Sequence, residues 1–91
     1  MLSRTPPVHH VTVLSRRGCH LCEQAGVDVA RIAAAVEAAG LASVSWEDRD
    51  ITDDAELMAD HAEQVPVILV DGRPHDFWRV DEARLRAALT R

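Results

Sequence analysis

The chain has 91 residues, a hydrophobic fraction of 47%, a charged fraction of 27% and a formal net charge of −5. This length suits one compact domain and is too short for two independent cores, and the composition is that of a globular protein. A pI of 5.4 argues against nucleic-acid binding. No apolar run approaches the roughly 18 residues of a membrane span, and no secretion signal opens the chain, so we expect a cytoplasmic protein.

The charge is unevenly distributed along the chain. Residues 1–45 carry four arginines and three acidic residues, whereas residues 46–91 carry six arginines and twelve acidic residues. Eight of the acidic residues lie between Glu47 and Glu63, where Arg49 is the only basic residue. All ten basic residues are arginine, which excludes Schiff-base chemistry on a lysine. The sequence therefore predicts a near-neutral, locally basic first half and an acidic second half.

A strand and a long helix follow a short N-terminal arm. We assign residues 1–8 to the arm and residues 9–91 to one domain. The β-branched stretch His9–Leu14 predicts the first strand. From Cys19 to Ala39 there is no proline, and Gly40 suits the left-handed residue that ends a helix. Apolar residues recur there at helical spacing and predict a buried stripe made of Leu21, Ala25, Val29, Ile32 and Val36.

A second strand and a short helix are predicted next. Val44–Asp48 alternates apolar and polar residues and suits the edge of a sheet. Thr52 or Asp53 is expected to cap the following helix, with Glu56 completing a capping box. This helix must end before Pro66, which disfavours helical geometry in the residue before it. Its inward face is predicted to carry Leu57, Met58, His61 and Ala62.

The last third of the chain predicts a hairpin and a final helix. Val67–Val70 is continuously apolar, as in a central strand, and Asp71-Gly72 is a strong signal for a tight hairpin turn. Pro74 places the returning strand, which extends to about Trp78, at an edge. Asp81 is expected to cap a helix that buries Leu85, Ala88 and Leu89. The predicted order is β-α-β-α-β-β-α, an α/β fold.

The two cysteines are the main chemical signal in the sequence. Cys19 and Cys22 form a C-x-x-C pair at the predicted start of the long helix. At an unperturbed pKa near 8.5 only about 3% of a thiol is ionised at pH 7, and a helix N-terminus together with positive neighbours lowers that pKa. Arg16, Arg17 and His20 are the positive neighbours that we expect to stabilise the thiolate.

Disulfide exchange follows from this placement. We expect the Cys19 thiolate to attack a disulfide, because it lies at the exposed helix end, and Cys22 to resolve the mixed disulfide one turn further in. Two alternatives stay open: a redox-silent pair, and a zinc site completed by two of the histidines, which include His9, His10 and His20. No histidine stands at a recognised ligand spacing from the thiols, so we expect no bound metal.

These motifs together resemble the glutaredoxin-like branch of the thioredoxin-fold family over residues 9–90. Gly18–Cys22 opens a helix after a strand, and Val65-Pro66 precedes an apolar strand and the Asp71-Gly72 hairpin. The resemblance implies a mixed four-stranded sheet flanked by three helices and a thiol–disulfide oxidoreductase. It also implies that Pro66 is cis and packs beside the thiols, and that Val65 pairs through its backbone with the bound disulfide partner.

The departures from the family pattern concern the recycling thiol. His20-Leu21 stands where glutaredoxins usually have Pro-Tyr, and the Gly-Gly-Asp stretch that helps to bind glutathione is absent. Arg16 falls where the family commonly has a lysine that meets an anionic part of glutathione. Trp78, an aromatic residue beside an edge strand, is a further candidate for the substrate groove.

We expect a monomer without a bound cofactor that acts on a protein disulfide or a low-molecular-weight disulfide. Glutathione, another thiol or a flavoprotein reductase is expected to recycle it, and neither nucleic acid nor a membrane is an expected partner. The alternative is a thioredoxin-fold binding module without catalysis, or a protein that binds metal through the same thiols.

Overall fold

The computed structural model describes residues 5–91, so the first four residues of the predicted arm lie outside the described residues. Seven elements follow in the predicted order: β1 (Val8–Ser15), α1 (His20–Ala38), β2 (Ser43–Asp50), α2 (Ala55–His61), β3 (Val67–Val70), β4 (Arg73–Phe77) and α3 (Glu82–Leu89). Across residues 5–91, none of the helices is long and apolar enough to cross a membrane.

The sheet is mixed and four-stranded, as predicted, with the strand order β2-β1-β3-β4. β1 pairs in parallel with β2 and antiparallel with β3, and β3 pairs antiparallel with β4. The edge positions expected for β2 and for the strand containing Pro74 are both confirmed. Asp71 and Gly72 have φ angles of 54° and 82°, the left-handed geometry that a tight hairpin turn requires.

Alternate residues of β1 belong to two hydrophobic clusters on opposite faces of the sheet, because side chains alternate along a strand. Val11 and Val13 belong to the larger cluster, which also contains the α3 residues Leu85 and Leu89 and the α1 residues Ala25, Val29, Ile32, Ala33 and Val36. Leu14 belongs to a smaller cluster, here called the thiol-side cluster, formed by Leu14, Cys22, Ile51, Val65 and Val67. The half-buried α2 residues Leu57 and Met58 pack against the thiol-side cluster.

The first turn of α1 differs from the prediction. Leu21, assigned to the buried stripe, is 51% exposed, whereas Ala25, Val29, Ile32 and Val36 are buried as expected. Cys22 instead is buried one turn before Ala25, because it packs in the thiol-side cluster. The predicted end is confirmed, since Gly40 follows the helix with a φ of 71°.

The start of α2 also differs. Its N-cap is Asp54, whose side chain accepts a hydrogen bond from the Leu57 backbone N–H at 3.0 Å, so the predicted caps Thr52 and Asp53 are wrong. Glu56 consequently lies too early in the helix to complete a capping box. The predicted inward residues are only half buried, and α2 contains no fully buried residue. For α3, the predicted cap Asp81 is confirmed.

Candidate functional site

The thiol pair lies at the junction between β1 and α1. Gly18 has a φ of 74°, a conformation that glycine adopts without strain, and it turns the chain into the helix. Cys19 is the N-cap residue, and its sulfur accepts a hydrogen bond from the Cys22 backbone N–H at 3.1 Å. The two cysteines form a disulfide, with their Cα atoms 5.2 Å apart.

The two sulfurs differ in burial. Cys22 is 2% exposed and belongs to the thiol-side cluster, whereas Cys19 is half buried and packs against the edge of that cluster. The half-buried Met58 and Phe77 pack against the same cluster. A partner sulfur therefore reaches Cys19 more readily than Cys22.

An acidic turn abuts the loop that carries the thiols. The Arg17 guanidinium lies 2.7 Å from the Asp53 carboxylate, and the Arg17 backbone N–H donates to the Thr52 hydroxyl at 3.0 Å. Hydrogen bonds from Thr52 hold the pKa of Asp50 below its usual range, and the nearby Arg17 charge acts in the same direction. Folding therefore places part of the acidic second half against the locally basic loop that carries the thiols.

The other two predicted thiolate-stabilising residues, Arg16 and His20, are exposed to solvent. Arg16 is exposed and forms no ion pair with any described residue. The side chain of His20 is 98% exposed, and its Nδ1 atom lies 3.8 Å from the Glu23 carboxylate. Of the three predicted residues, Arg16 thus carries a charge that no acidic side chain in residues 5–91 offsets within 4 Å.

The predicted substrate-binding residues lie close to one another in the structure. The Val65-Pro66 peptide bond is cis, and both residues are buried, with Val65 in the thiol-side cluster beside Cys22. Trp78 follows β4, and its backbone N–H donates to the Pro66 carbonyl at 2.8 Å. Its indole Nε1–H donates to the Glu63 carbonyl at 3.0 Å. The structure thus brings Val65, Pro66 and Trp78 together.

Two of the histidines considered for a zinc site, His9 and His10, lie far from the thiols, whereas His20 directly follows Cys19. His9 Nδ1 lies 2.6 Å from the Asp71 carboxylate, and His10 Nδ1 lies 2.8 Å from the Ser45 hydroxyl, both near the start of β1. The thiols follow the end of that strand, roughly 20 Å away at the rise of an extended chain. Nowhere in residues 5–91 do three or more His, Cys, Asp or Glu side chains gather as metal ligands.

Two features of the site were missed at the level of sequence. The Arg17–Asp53 pair joins residues 36 positions apart. The shared packing of Phe77 and of Met58, whose inward position was predicted, against the thiol-side cluster brings together two separate elements. Neither has a local pattern. The sequence shows a loop arginine and a distant acidic stretch, but it does not predict that they form an ion pair, because many other pairings were equally available.

Residues 10–90 match the Glutaredoxin-like domain family (DUF836). The chain belongs to this glutaredoxin-like family. The uncharacterized proteins Rv0508 of Mycobacterium tuberculosis and Mb0520 of Mycobacterium bovis are each 32% identical to it over 81 residues, which cover 89% of this chain and 82% of theirs.

Solved structures place this glutaredoxin-like chain in the thioredoxin fold. Protein XcR50 from X. campestris is 36% identical, with a TM-score of 0.64 over 87% of this chain and 93% of its own. Protein Ne2328 from Nitrosomonas europaea has a TM-score of 0.71 at 22% identity, covering 98% and 99% of the two chains. Thioredoxin from Fasciola hepatica has a TM-score of 0.60 at 19% identity, covering 94% and 82%. The last two similarities establish the fold alone.

Proposed function

We propose that the protein is a thiol–disulfide oxidoreductase in which Cys19 is the attacking thiol and Cys22 the resolving thiol. The family and its fold, with the Cys19–Cys22 pair, support a redox-type function. The observation that carries the finer proposal is the asymmetry of the pair: Cys19 caps a helix and is accessible, whereas Cys22 is 2% exposed beneath it.

The reaction takes two exchange steps. The reduced Cys19 thiolate attacks one sulfur of the substrate disulfide, which forms a Cys19–substrate disulfide and releases the other substrate sulfur as a thiolate that takes up a proton. Cys22 then loses its proton to solvent and attacks the Cys19 sulfur, which releases the second substrate thiol and forms the Cys19–Cys22 disulfide. Two electrons pass from the protein to the substrate.

The local structure favours the Cys19 thiolate. Its sulfur already accepts the Cys22 backbone N–H at 3.1 Å, and the positive end of α1 lies at the same place. A shift of the thiol pKa from about 8.5 to about 7 requires roughly 2 kcal/mol, which lies at the upper end of what a helix terminus supplies. We expect a further contribution from the charge of Arg16, which is unpaired within residues 5–91, and smaller ones from Arg17 and His20, which lie close to Asp53 and Glu23.

The groove beside the thiols is proposed to receive the disulfide partner. Val65 offers backbone groups to an extended segment, Pro66 holds that backbone next to Cys22, and Trp78 forms the outer wall. No bound cofactor is part of the proposal, and an external thiol or a flavoprotein reductase regenerates the dithiol. A comparison of glutathione, another low-molecular-weight thiol and a thioredoxin-reductase-type enzyme as donors identifies the recycling partner.

Serine variants of the two cysteines test the roles directly. We expect Cys19→Ser to abolish reduction of a disulfide substrate and Cys22→Ser to accumulate a mixed disulfide on Cys19, detected by intact-protein mass spectrometry. The double serine variant is the control for non-specific adducts. If Cys22→Ser abolished attack while Cys19→Ser kept it, the assignment would be reversed. If the wild-type thiols titrated near 8.5 and reduced no disulfide, the protein would be a binding module.

A further inference from the structure

Trp78 has a backbone conformation that its side chain disfavours. Its φ of 70° lies in the left-handed region, which glycine adopts freely and bulky residues rarely do. In the described chain, Asp71 is the only other non-glycine residue with positive φ, and it lies in the hairpin turn, where that geometry is expected. Trp78 lies instead directly after β4, bonded to the segment that contains Val65.

Two hydrogen bonds hold Trp78 in this conformation. Its backbone N–H bonds to the Pro66 carbonyl and its indole Nε1–H to the Glu63 carbonyl, at 2.8 and 3.0 Å. The two acceptor carbonyls lie on either side of Val65 in the chain, and Val65 belongs to the thiol-side cluster. The Phe77 ring, which packs against the same cluster, lies 6.3 Å from the indole ring between centroids. The indole is thus fixed against the segment that precedes β3, and Val65 of that segment shares the thiol-side cluster with Cys22.

Burial does not explain this arrangement. Trp78 remains 54% exposed, so much of the ring is open to solvent although its N–H edge is bonded. Backbone strain of this kind is found mainly where the surroundings fix a residue for binding or catalysis. A rigid aromatic ring with one polar edge already bonded is also a favourable contact surface, because little side-chain entropy is lost when a partner covers it.

We propose that Trp78 is a specificity-determining residue that selects polypeptide disulfides carrying an apolar side chain beside the reacting cysteine. The inference rests on the proposed oxidoreductase function and names its substrate class. A polypeptide that lies along Val65 while its sulfur reaches Cys19 passes the exposed face of the indole. A small disulfide reaches Cys19 without touching Trp78, and glutathione has no apolar side chain to place against it.

The test compares two substrates on three proteins. The substrates are a short peptide disulfide with leucine next to its cysteine and hydroxyethyl disulfide, and the proteins are the wild type, Trp78→Gly and Trp46→Phe. Glycine removes the ring and suits the left-handed backbone, so the variant is expected to fold. Trp46, on the edge strand β2, is the matched control.

We expect Trp78→Gly to lower kcat/KM for the leucine peptide about tenfold, mainly through KM, and to change that for hydroxyethyl disulfide less than twofold. Trp46→Phe should change neither. An equal loss on both substrates, or no loss on either, overturns the inference while leaving the proposed function intact. Absence of wild-type turnover on both substrates overturns the proposed function itself and the inference with it.

A second measurement does not depend on turnover. The chain has two tryptophans, so Trp46→Phe leaves Trp78 as the sole indole fluorophore. In a Trp46→Phe, Cys22→Ser protein, formation of the Cys19 mixed disulfide with the leucine peptide should shift the Trp78 emission to shorter wavelength. The same peptide with serine in place of leucine should shift it less. Equal shifts for the two peptides contradict the inference.

Discussion

Single charges around Cys19 influence how much of its thiol is ionised at neutral pH. Arg17 is two residues from Cys19 in the chain, but its guanidinium is held 2.7 Å from the Asp53 carboxylate. The two opposite charges therefore largely cancel in their effect on the Cys19 sulfur. Arg16 has no such partner among the described residues. Two adjacent arginines with the same sequence signal therefore differ in their expected effect on the thiolate.

We predict that Arg16→Gln raises the pKa of Cys19 and slows its alkylation by iodoacetamide at pH 7 about twofold, in a Cys22→Ser background where Cys19 is the sole thiol. The double change Arg17→Gln, Asp53→Asn should alter the rate less, because it removes opposite charges from one place. Arg73→Gln, at the far hairpin, is the control. Because salt at about 1 M screens exposed charges beyond roughly 3 Å, the Arg16 effect should shrink there. An equal effect of Arg73→Gln would contradict the prediction.

Among the helices and strands, α2 is the element whose stability depends most on how its ends are held. It has seven residues and no fully buried side chain, and it contacts the thiol-side cluster through the half-buried Leu57 and Met58. A helix this short gains little from its own hydrogen bonds, so its cap and its packing hold it. The Asp54 side chain, which bonds the Leu57 backbone N–H at 3.0 Å, is that cap. The packing of α2 against the thiol-side cluster thus depends partly on one hydrogen bond.

We predict that Asp54→Ala lowers the free energy of unfolding by about 1 kcal/mol, the usual cost of losing an N-cap. Asp60→Ala, an exposed change in the same helix, should alter it by no more than about 0.5 kcal/mol. Urea denaturation measures both, and hydrogen exchange at the Met58 amide reports whether α2 opens locally. Indistinguishable unfolding midpoints and exchange rates for the two variants would show that Asp54 does not hold the helix.

For the molecule as a whole, stability should depend on pH through a half-buried histidine on β4. Burial lowers the pKa of His75, and the charges of Arg84 and Arg91 lower it further, against the opposite effects of Asp76 and Asp81. The folded protein therefore holds fewer protons than the unfolded chain at pH values just below the ordinary histidine pKa of about 6.5. Stability should fall as the pH falls through this range.

We predict that the urea midpoint of the wild type decreases between pH 7.5 and pH 5, and that His75→Gln flattens this decrease, because glutamine does not titrate. His20→Gln, the same substitution at a side chain that is 98% exposed, is the control. A wild-type midpoint that stays constant, or a decrease of the same size in His75→Gln, would contradict the assignment to His75.

Local sequence patterns were sufficient to predict the order of the elements and the position of the thiols at a helix start. The order of the seven elements, the hairpin at Asp71-Gly72, the edge position of Pro74 and the C-x-x-C pair at a helix start all follow from periodicity, turn chemistry and spacing over a few residues. Each of these preferences acts between neighbours in the chain, so the sequence already contains the interacting partners.

The surroundings of the thiols required the folded chain. The Arg17–Asp53 pair, the exposure of Leu21, the cap at Asp54 and the left-handed Trp78 were not predicted. Each depends on which distant segments become neighbours, and an ion pair acts over only a few ångströms of space whatever the separation in sequence. The chain thus encodes a redox pair in a known fold through local rules, whereas the charge at Cys19 and the wall beside Val65 arise from contacts that exist only after folding.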